Sequence, residues 1–421
     1  MVETRNLHPG IQLRCFRDSR FKQGCISFQL VRNMERDSAA LNALIPAVLL
    51  RGTRQHQDLR SITHHLDTLY GAAVSPLVRR VGDYQTVGLY CAFMDDRFAL
   101  PGDRVMAPMV EFLAELLLDP LTEGDSFLSD IVESEKKNLI AAIESDLNDK
   151  RAYAMTRLLK NMCSGDTFGL PRLGEKEQVA VIRPEELYAH YRRILEDSAI
   201  RIFYVGSADA DTVAQCLQPL VNRLGGRQGN LQPQTVLRES PQSHTQEIMD
   251  VTQGKLCMGF TTSITNRRPE FAAMQLLNTV FGAGMTSKLF MNVREKLSLC
   301  YSVGSGYYGT KGIITVAAGI DFDKEQQTRE EILRQLDACK AGDISAEELN
   351  AAKAAIRTSL QATHDSPGAI EGYYSTAALS GMGMTPAEYM DAVEAATLED
   401  LVAAANTLEL HSSYFLKGGS K

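Results

Sequence analysis

Long apolar runs are missing from this sequence of 421 residues. No stretch approaches the roughly 18 uninterrupted apolar residues of a membrane-spanning helix, so we expect no membrane partner. The opening segment, MVETRNLHPGIQLRCFRDSR, also lacks the apolar region that a secretory signal requires. We therefore expect the protein to be cytoplasmic.

Paired cysteines and an excess of basic residues are absent too. The eight cysteines are scattered, without a Cys-x-x-Cys motif, and several lie in apolar stretches such as GLYCAFM. That distribution indicates reduced core residues rather than a disulfide framework or a zinc knuckle. The formal net charge of −8 at pH 7 argues against nucleic acid as a partner, because such a partner requires a basic surface.

What is present is an order of predicted elements that occurs twice. Each half ends with a helix followed by a strand, RPEELYAHYRRIL before AIRIFYVG and TLEDLVAAANTL before SSYFLKGG. Ala73 corresponds to Tyr301 and Pro184 corresponds to Leu398, at offsets of 228 and 214 residues. A repeat of this length indicates duplicated domains rather than a solenoid.

The duplication predicts the domain organisation. We predict an N-terminal domain over residues 1–224, a linker without apolar periodicity over 225–246, and a C-terminal domain over 247–421. The chain is long enough for two domains of about 200 residues each. Because hairpins alternate with helices, the predicted fold class is α+β, with two tandem homologous domains, each a largely antiparallel sheet that has helices packed on one face.

Two other patterns are compatible with ligand binding but have simpler explanations. His56, His64 and His65 are close in sequence, but His64 and His65 point about 100° apart on a helix and cannot readily share a zinc ion. The Gly-x-Gly of FGAGMTSKLF (281–290) follows a predicted helix, whereas a phosphate-binding loop follows a strand. We interpret these residues as hydrogen-bonded histidines and helix-terminating glycines.

The segment SKLFMNVREKLSLCYSV combines a predicted helix with the start of a strand. Its spacing turns Arg294 away from the apolar stripe of the helix, and Tyr301 begins the strand. The predicted buried stripe consists of Leu289, Phe290, Val293 and Leu297. On spacing alone, a basic last helical turn and a half-buried strand tyrosine explain Arg294 and Tyr301.

The segment LNALIPAVLLRGT places inert residues on one side of a predicted helix. Apolar residues recur with helical spacing, and beside them lie Ala43, Pro46 and Ala47, none of which carries a functional group. A proline inside a helix costs roughly 3 kcal/mol. The pattern alone gives no reason for a proline at this position.

Four stretches together resemble the pitrilysin and mitochondrial-processing-peptidase family of zinc peptidases, the inverzincins. They are the helix that ends in RGT, the following HHLDTLYGA, the acidic helix ESEKKNLIAAIES, and SKLFMNVREKLSLCYSV. The resemblance covers nearly the whole chain. The first two stretches are most similar to the non-catalytic YmfF-like subgroup of Gram-positive bacteria, which lacks the zinc motif.

The resemblance implies where the zinc site of an active member would lie. Active members carry H-x-x-E-H on the helix that ends at Gly-Thr, where two histidines bind zinc and the glutamate is the general base. The histidine positions correspond to Ala43 and Ala47, and the glutamate position to Pro46. The third ligand position corresponds to Ala142, and Glu144 lies roughly 200° around that helix. We therefore expect no zinc and no catalytic residue in this chain.

The resemblance also implies a function. Some peptidases of this family consist of two different subunits, one with H-x-x-E-H and zinc, the other with an arginine and a tyrosine that bind the peptide. Arg294 and Tyr301 correspond to that arginine and tyrosine. We expect the non-catalytic, substrate-binding subunit of a heterodimeric zinc peptidase, forming half of a chamber for unfolded peptide. Its partner would be an H-x-x-E-H paralogue that carries the zinc, and the isolated chain could form a homodimer.

Two other functions stay open on the sequence. A structural scaffold derived from the same fold would have a filled cleft and no role for Arg294 and Tyr301. An independent peptidase would require metal ligands outside the family positions. A paralogue with H-x-x-E-H in a neighbouring gene would favour the heterodimer over both.

Overall fold

The described residues of the computed structural model are 2–227, 229–237 and 240–419, without the side chains of residues 146 and 147. Residues 1 and 421, the outer ends of the predicted domains, lie outside these ranges, and so do residues 228, 238 and 239 of the predicted linker. The chain divides into two compact units, each with one main sheet.

Strands are numbered in chain order. They are Val2–His8 (β1), Ile11–Arg17 (β2), Gln23–Asn33 (β3), Ala73–Val81 (β4), Tyr84–Met94 (β5), Thr122–Glu123 (β6), Ser126–Phe127 (β7), Ala199–Gly206 (β8), Ser243–Met249 (β9), Gly254–Thr261 (β10), Cys300–Tyr308 (β11), Ile313–Ile320 (β12) and Glu409–Gly418 (β13).

The α-helices are numbered in the same way, with two π-helices labelled separately. They are Ala39–Leu49 (α1), Leu59–Thr68 (α2), Met106–Leu118 (α3), Ser129–Asn148 (α4), Lys150–Met162 (α5), Lys176–Ala180 (α6), Pro184–Asp197 (α7), Ala210–Leu224 (α8), Phe271–Asn278 (α9), Thr279–Ala283 (π1), Leu289–Lys296 (π2), Glu325–Lys340 (α10), Ala346–Ala362 (α11), Pro367–Ser380 (α12), Pro386–Ala395 (α13) and Leu398–Asn406 (α14).

The first unit is built around a six-stranded sheet. It contains Met1–Glu144, Pro171–Pro233 and His364–Thr376, and its strand order is β1-β2-β8-β3-β5-β4. Neighbouring strands are antiparallel except for β2 and β8, which are parallel. Because side chains alternate along a strand, Ile26 and Phe28 of β3 point into the apolar core, where residues of α1, α3, α7 and α8 also lie.

The second unit is built around a five-stranded sheet. It contains Ser145–Leu170, Gln234–Thr363 and Ala377–Lys421, and its strand order is β11-β12-β10-β13-β9. Only β13 and β9 are parallel neighbours. The strand β11 therefore lies at one edge of this sheet, next to the helices π1 and π2.

The helix α5 belongs to the second unit although it follows α4 directly. Asp149 separates the two helices, because its side chain accepts hydrogen bonds from the backbone N–H groups of Arg151 and Ala152 at 2.9 and 3.2 Å and so caps α5. The buried residues Ala154 and Leu158 of α5 then pack with β10, β12 and β13. A single break in a continuous helical pattern thus moves one helix to the other unit.

The corresponding helix of the second half is exchanged in the opposite direction. Helix α12 begins 217 residues after α5, as α11 begins 217 residues after α4, and most of α12 lies in the first unit. The fully buried carboxylate of Glu371 on α12 accepts hydrogen bonds from Ser27 at 2.7 Å and from Gln29 at 2.9 Å. Arg79 of β4 donates two more, at 2.8 and 2.9 Å. These charge-assisted bonds explain why β3 has polar side chains opposite its apolar core side.

The predicted α+β fold with largely antiparallel sheets is confirmed. Two features differ from the sequence analysis. Each unit contains one helix that the sequence analysis placed in the other domain, α5 in the second unit and most of α12 in the first. The compact units therefore do not follow the predicted boundaries at 224 and 247. Strand β9 begins at Ser243, inside the predicted linker. The sequence did not indicate this strand, because it is formed by backbone pairing with β13 and its side chains show no apolar pattern.

The cysteines agree with the expectation from composition. All eight cysteines are free, and all except Cys216 are buried. Burial raises the pKa of Cys15 and of Cys339 to about 12, which leaves these thiols unreactive at neutral pH. Within the described part of the chain, no helix combines the length and the apolar character needed to cross a bilayer.

Candidate functional site

Helix α1 carries the three positions to which the sequence resemblance assigns H-x-x-E-H. Ala43 and Pro46 are buried and Ala47 is partly exposed. Pro46 lies in the helix interior, where its missing N–H removes one intrahelical hydrogen bond. Neither a methyl group nor a proline ring has a lone pair for a metal ion, so the helix provides no ligand at these positions.

The position of the third ligand is equally inert. Ala142 is exposed on α4. Glu144 forms a surface ion pair with Lys176 at 3.1 Å, and Glu135 binds Arg51 at 2.5 Å. Among the described residues, no three histidine, cysteine or acidic side chains converge as a metal site.

The histidines near α1 have ordinary structural partners. His56 Nδ1 lies 2.9 Å from Glu115, and the ring centres of His56 and His65 are 4.7 Å apart. Burial, and after it the neighbouring His56, lowers the pKa of His65. His64 is exposed. This geometry agrees with the interpretation of these residues as hydrogen-bonded or solvated histidines.

A buried hydrogen-bond network connects α1 with α7. Asn42 donates to Gln85 at 2.8 Å, and its Oδ1 lies 2.7 Å from His190 Nε2. Arg193 lies 2.6 Å from His190 Nδ1, and since a guanidinium can only donate, Nδ1 must be the unprotonated acceptor. Burial, followed by Arg193, lowers the pKa of His190 to about 4.

His190 therefore predicts a loss of stability in acid. Its folded pKa of about 4 lies below the value of about 6.5 for an unfolded histidine, so the unfolded chain binds the proton first. The stability that neutral His190 contributes is fully present above pH 6.5. As the pH falls toward 4, the free energy of unfolding decreases by about 2–3 kcal/mol. Urea unfolding followed by circular dichroism across this range measures it. The variant His190→Gln should lack most of this pH-dependent loss of stability, whereas His64→Gln should retain it. Equal acid sensitivity of the two variants would contradict the assignment to His190.

The helix that carries Arg294 is a π-helix. The prediction of a buried Leu297 is wrong, because this side chain is 38% exposed. Leu297 follows the last residue of π2, Lys296, so it lies beyond the helical stripe from which its burial was predicted. Ser298 adopts a left-handed backbone conformation with φ of 49°, and the next residue, Leu299, is buried instead.

Arg294 and Tyr301 line one cavity of about 380 Å³ at the start of β11. The Arg294 side chain is 39% exposed, and its guanidinium lies 4.6 Å from the centre of the Phe290 ring. Tyr301 is 63% exposed and donates a hydrogen bond to Asp321 at 3.0 Å, which raises the pKa of Tyr301. The structure thus places both predicted substrate-binding residues in the same accessible cavity.

A second cavity of about 630 Å³ lies along β11. This cavity is called the β11 groove below. Gly304 and Gly306 line it on the strand, and Arg151 lines it from α5. A side chain at Gly304 would begin 3.7 Å from the Arg151 guanidinium. Strand β11 lies at the edge of its sheet, and a sheet edge is where an extended chain can add as a further strand.

Comparison with known proteins identifies the relatives of the chain. The family profile described as "Peptidase M16 inactive domain" matches residues 182–356. A Bacillus subtilis protein described as "Probable inactive metalloprotease YmfF" is 30% identical over 425 residues, which covers 99% of this chain and 98% of the relative. The chain belongs to the M16 peptidase family.

Solved structures have the same fold as this M16 homologue. A conserved protein from Enterococcus faecalis V583 has a TM-score of 0.92 and 24% identity, covering 100% of this chain and 99% of that chain. The M16 inactive domain from Pseudomonas fluorescens has a TM-score of 0.82 and 17% identity, covering 100% and 98%. The resemblance found in the sequence is therefore confirmed for the family and for the fold.

The family membership explains the proline in α1. The Bacillus subtilis relative is described as a probable inactive metalloprotease. In this chain, alanine and proline occupy the α1 positions to which the sequence resemblance assigns two zinc ligands and the general base. The position of Pro46 has no catalytic group to present, so a residue that disfavours helix is tolerated there.

Three charged residues that line the two cavities, in addition to Arg294, were not predicted from the sequence. Asp321 and Lys324 line the same cavity, and Arg151 lines the β11 groove. The first two follow strand β12 in the motif DFDK, where charged residues at a strand end are unremarkable. Arg151 reaches the groove only because α5 is exchanged, and no local pattern indicates that exchange.

Pro46→Ala should stabilise this M16 homologue. The change restores a backbone donor and removes the clash of the ring with the preceding turn, worth up to about 3 kcal/mol in a helix interior. Loss of the buried ring offsets part of that gain, so we expect a net increase of about 1 kcal/mol. Thermal melting measures it, with the neighbouring Ala47→Ser as a control for substitution in α1. A lower melting temperature for Pro46→Ala would contradict this prediction.

Proposed function

We propose that this M16 homologue is the non-catalytic, substrate-binding subunit of a heterodimeric zinc peptidase. Its partner is an M16 paralogue that carries H-x-x-E-H and the zinc ion, and its substrate is an extended peptide or an unfolded segment. The observation that carries the proposal is the accessibility of Arg294 and Tyr301 in one cavity. Inert residues at the zinc positions assign the chemistry to the partner.

The two side chains fit a peptide backbone. The Arg294 guanidinium presents several donors in one plane, which suits a carbonyl or a carboxylate. Stacking on Phe290 restricts the orientation of that plane without covering it. The Tyr301 hydroxyl, once it leaves Asp321, can donate to an oxygen on which negative charge develops. Both groups therefore assist hydrolysis without a metal ligand in this chain.

The edges of the two sheets differ in their suitability for an added peptide strand. In the first unit the edge strand β4 contains Pro76, which has no N–H to donate. In the second unit the edge strand β11 contains no proline and has glycines along its groove. This contrast supports binding of the peptide along β11, whose first residues also line the cavity of Arg294 and Tyr301.

A scaffold function predicts that the cavity is filled and that neither residue has a role. Arg294 and Tyr301 are instead exposed, and their ion-pair and hydrogen-bond partners, Glu295 and Asp321, are partly exposed themselves. Surface contacts of this kind contribute about 0–1 kcal/mol, which is too little to explain the residues as structural elements. The exposure therefore favours the substrate-binding function.

Peptide binding by the purified chain tests the proposal. Fluorescence anisotropy with a fluorescein-labelled, unstructured peptide should give saturable binding. Arg294→Ala should weaken this binding about tenfold, because a hydrogen bond from a charged group is lost. The matched control is Arg357→Ala, which removes a surface arginine paired with Glu394 outside the cavity. No binding of any unstructured peptide, or equal binding by Arg294→Ala, would contradict the substrate-binding function.

A further inference from the structure

The cavity at the start of β11 contains two cations besides its tyrosine. Arg294 and Lys324 both line it, and so do the carboxylates of Glu295 and Asp321. Lys324 Nζ donates to the Ser298 carbonyl at 3.2 Å, which places the ammonium at the rim. Four charged side chains around a cavity of about 380 Å³ make it a site for a charged ligand group rather than an apolar one.

Asp321 occupies the donors of this cavity. Its Oδ1 accepts the hydrogen bond of Tyr301 at 3.0 Å, and its Oδ2 lies 3.2 Å from Lys324 Nζ. A phenol and an ammonium directed at one carboxylate are the arrangement that a bound carboxylate would require. The side chain of Asp321 is partly exposed, and so is that of Lys324, so this ion pair is a surface pair that exchanges at small cost.

The field of both cations extends to the residue next to Tyr301. Burial raises the pKa of the Cys300 thiol to about 11, and Arg294 and Lys324 both oppose that increase. The two cations therefore act on the same point of the cavity from two different elements, π2 and the short turn Phe322–Lys324. Their charges are balanced by Asp321 and Glu295, and an anion that binds both Tyr301 and Lys324 has to replace Asp321.

We propose that this cavity binds a carboxylate of the peptide, with Lys324 as the specificity-determining cation and Asp321 as an intramolecular substitute that the ligand displaces. The proposal rests on the proposed function, since the carboxylate belongs to the substrate that lies along β11. It names a substrate class: peptides with an acidic side chain, or a free carboxyl terminus, at the Cys300 end of that strand.

Charge-matched peptides test this inference. One series of fluorescein-labelled peptides built from Ala, Ser and Thr carries a single Glu at successive positions, and a second series carries Gln instead. Both are made with a free and with an amidated carboxyl terminus. The wild-type chain should bind its best carboxylate peptide about tenfold more tightly than the uncharged counterpart. If Glu peptides bind more tightly than Gln peptides, the bound carboxylate is a side chain. If peptides with a free carboxyl terminus bind more tightly than amidated ones, the bound carboxylate is the terminus.

Two variants should change this preference in opposite directions. Lys324→Gln should abolish it, while Asp321→Asn should increase it severalfold, because the asparagine oxygen still accepts a hydrogen bond but no longer carries the negative charge that competes with the ligand. A merely structural Asp321 would not give this increase. The matched controls, Lys296→Gln and Asp323→Asn, alter nearby residues that do not line the cavity and should leave the preference unchanged.

The outcomes separate the two proposals. Peptides that bind without any dependence on carboxylates, in the wild type and in both variants, would overturn this inference and leave the substrate-binding function in place. Failure of every peptide to bind would overturn both. Weaker binding of the Glu peptide by Asp321→Asn would also overturn the inference, because Asp321 would then support the ligand instead of substituting for it.

Discussion

The double variant Arg294→Ala, Tyr301→Phe is expected to lower peptide turnover on the order of 100-fold when it replaces the wild-type chain in the proposed complex with an H-x-x-E-H partner. Both residues lie on the cavity surface, so their loss removes donors to the peptide and leaves the core intact. The hydroxyl of Tyr301 is lost while its ring remains. Peptidase assays of the reconstituted complex measure the effect.

Thermal melting and complex formation are the controls for this variant. Neither should change, because the ion pair of Arg294 with Glu295 and the hydrogen bond of Tyr301 with Asp321 are both surface contacts. Arg357→Ala should leave turnover unchanged. Equal turnover with the double variant and with the wild-type chain would contradict the substrate-binding function. Unfolding of the variant would assign Arg294 and Tyr301 a structural role.

Asp166→Ala is expected to destabilise the second unit by about 3–5 kcal/mol. Asp166 forms an ion pair with Lys311 at 3.0 Å, and both side chains are fully buried, at 0% exposure. Asp166 also accepts a hydrogen bond from the Phe168 N–H at 2.8 Å. Removal of the carboxylate takes away the negative charge that Asp166 places beside a buried ammonium, which is far more costly than the loss of a surface pair.

The buried pair also connects segments that are distant in the chain. Lys311 lies in the turn between β11 and β12, and its carbonyl accepts a hydrogen bond from Leu237 of the predicted linker at 3.1 Å. Urea unfolding measures the effect of Asp166→Ala. Glu394→Ala, which removes a carboxylate from the surface pair with Arg357, should cost at most about 1 kcal/mol. Similar losses in the two variants would contradict this account of the buried pair.

The sequence predicted the fold where apolar periodicity decides the structure. The strands and helices around each core follow that periodicity, and both α7 and α14 begin at the positions aligned by the duplication, Pro184 and Leu398. Strand β9 escaped prediction because it depends on backbone pairing at a sheet edge. The exchange of α5 and α12 escaped because it depends on contacts between residues far apart in sequence, such as Glu371 with Ser27.

The residues of the candidate site were also only partly predictable from the sequence. Arg294 and Tyr301 carried no decisive signal in their spacing, and only the resemblance to a family assigned them a role. The expected accessibility of Arg294 agrees with the structure, whereas the expected burial of Leu297 does not, because π2 ends at Lys296, before this residue. Asp321 and Lys324 were missed because the strand that brings them to the cavity is remote from π2 in sequence.

Peptidase activity of the chain with its H-x-x-E-H paralogue tests the central proposal most directly. The two proteins are purified separately and assayed alone and as a mixture on an unstructured peptide, with zinc determined in each. We predict no activity and no bound zinc for this chain alone, little activity for the partner alone, and full activity with one zinc ion per pair for the mixture. Hydrolysis by this chain alone, or a mixture no more active than the partner alone, would contradict the account.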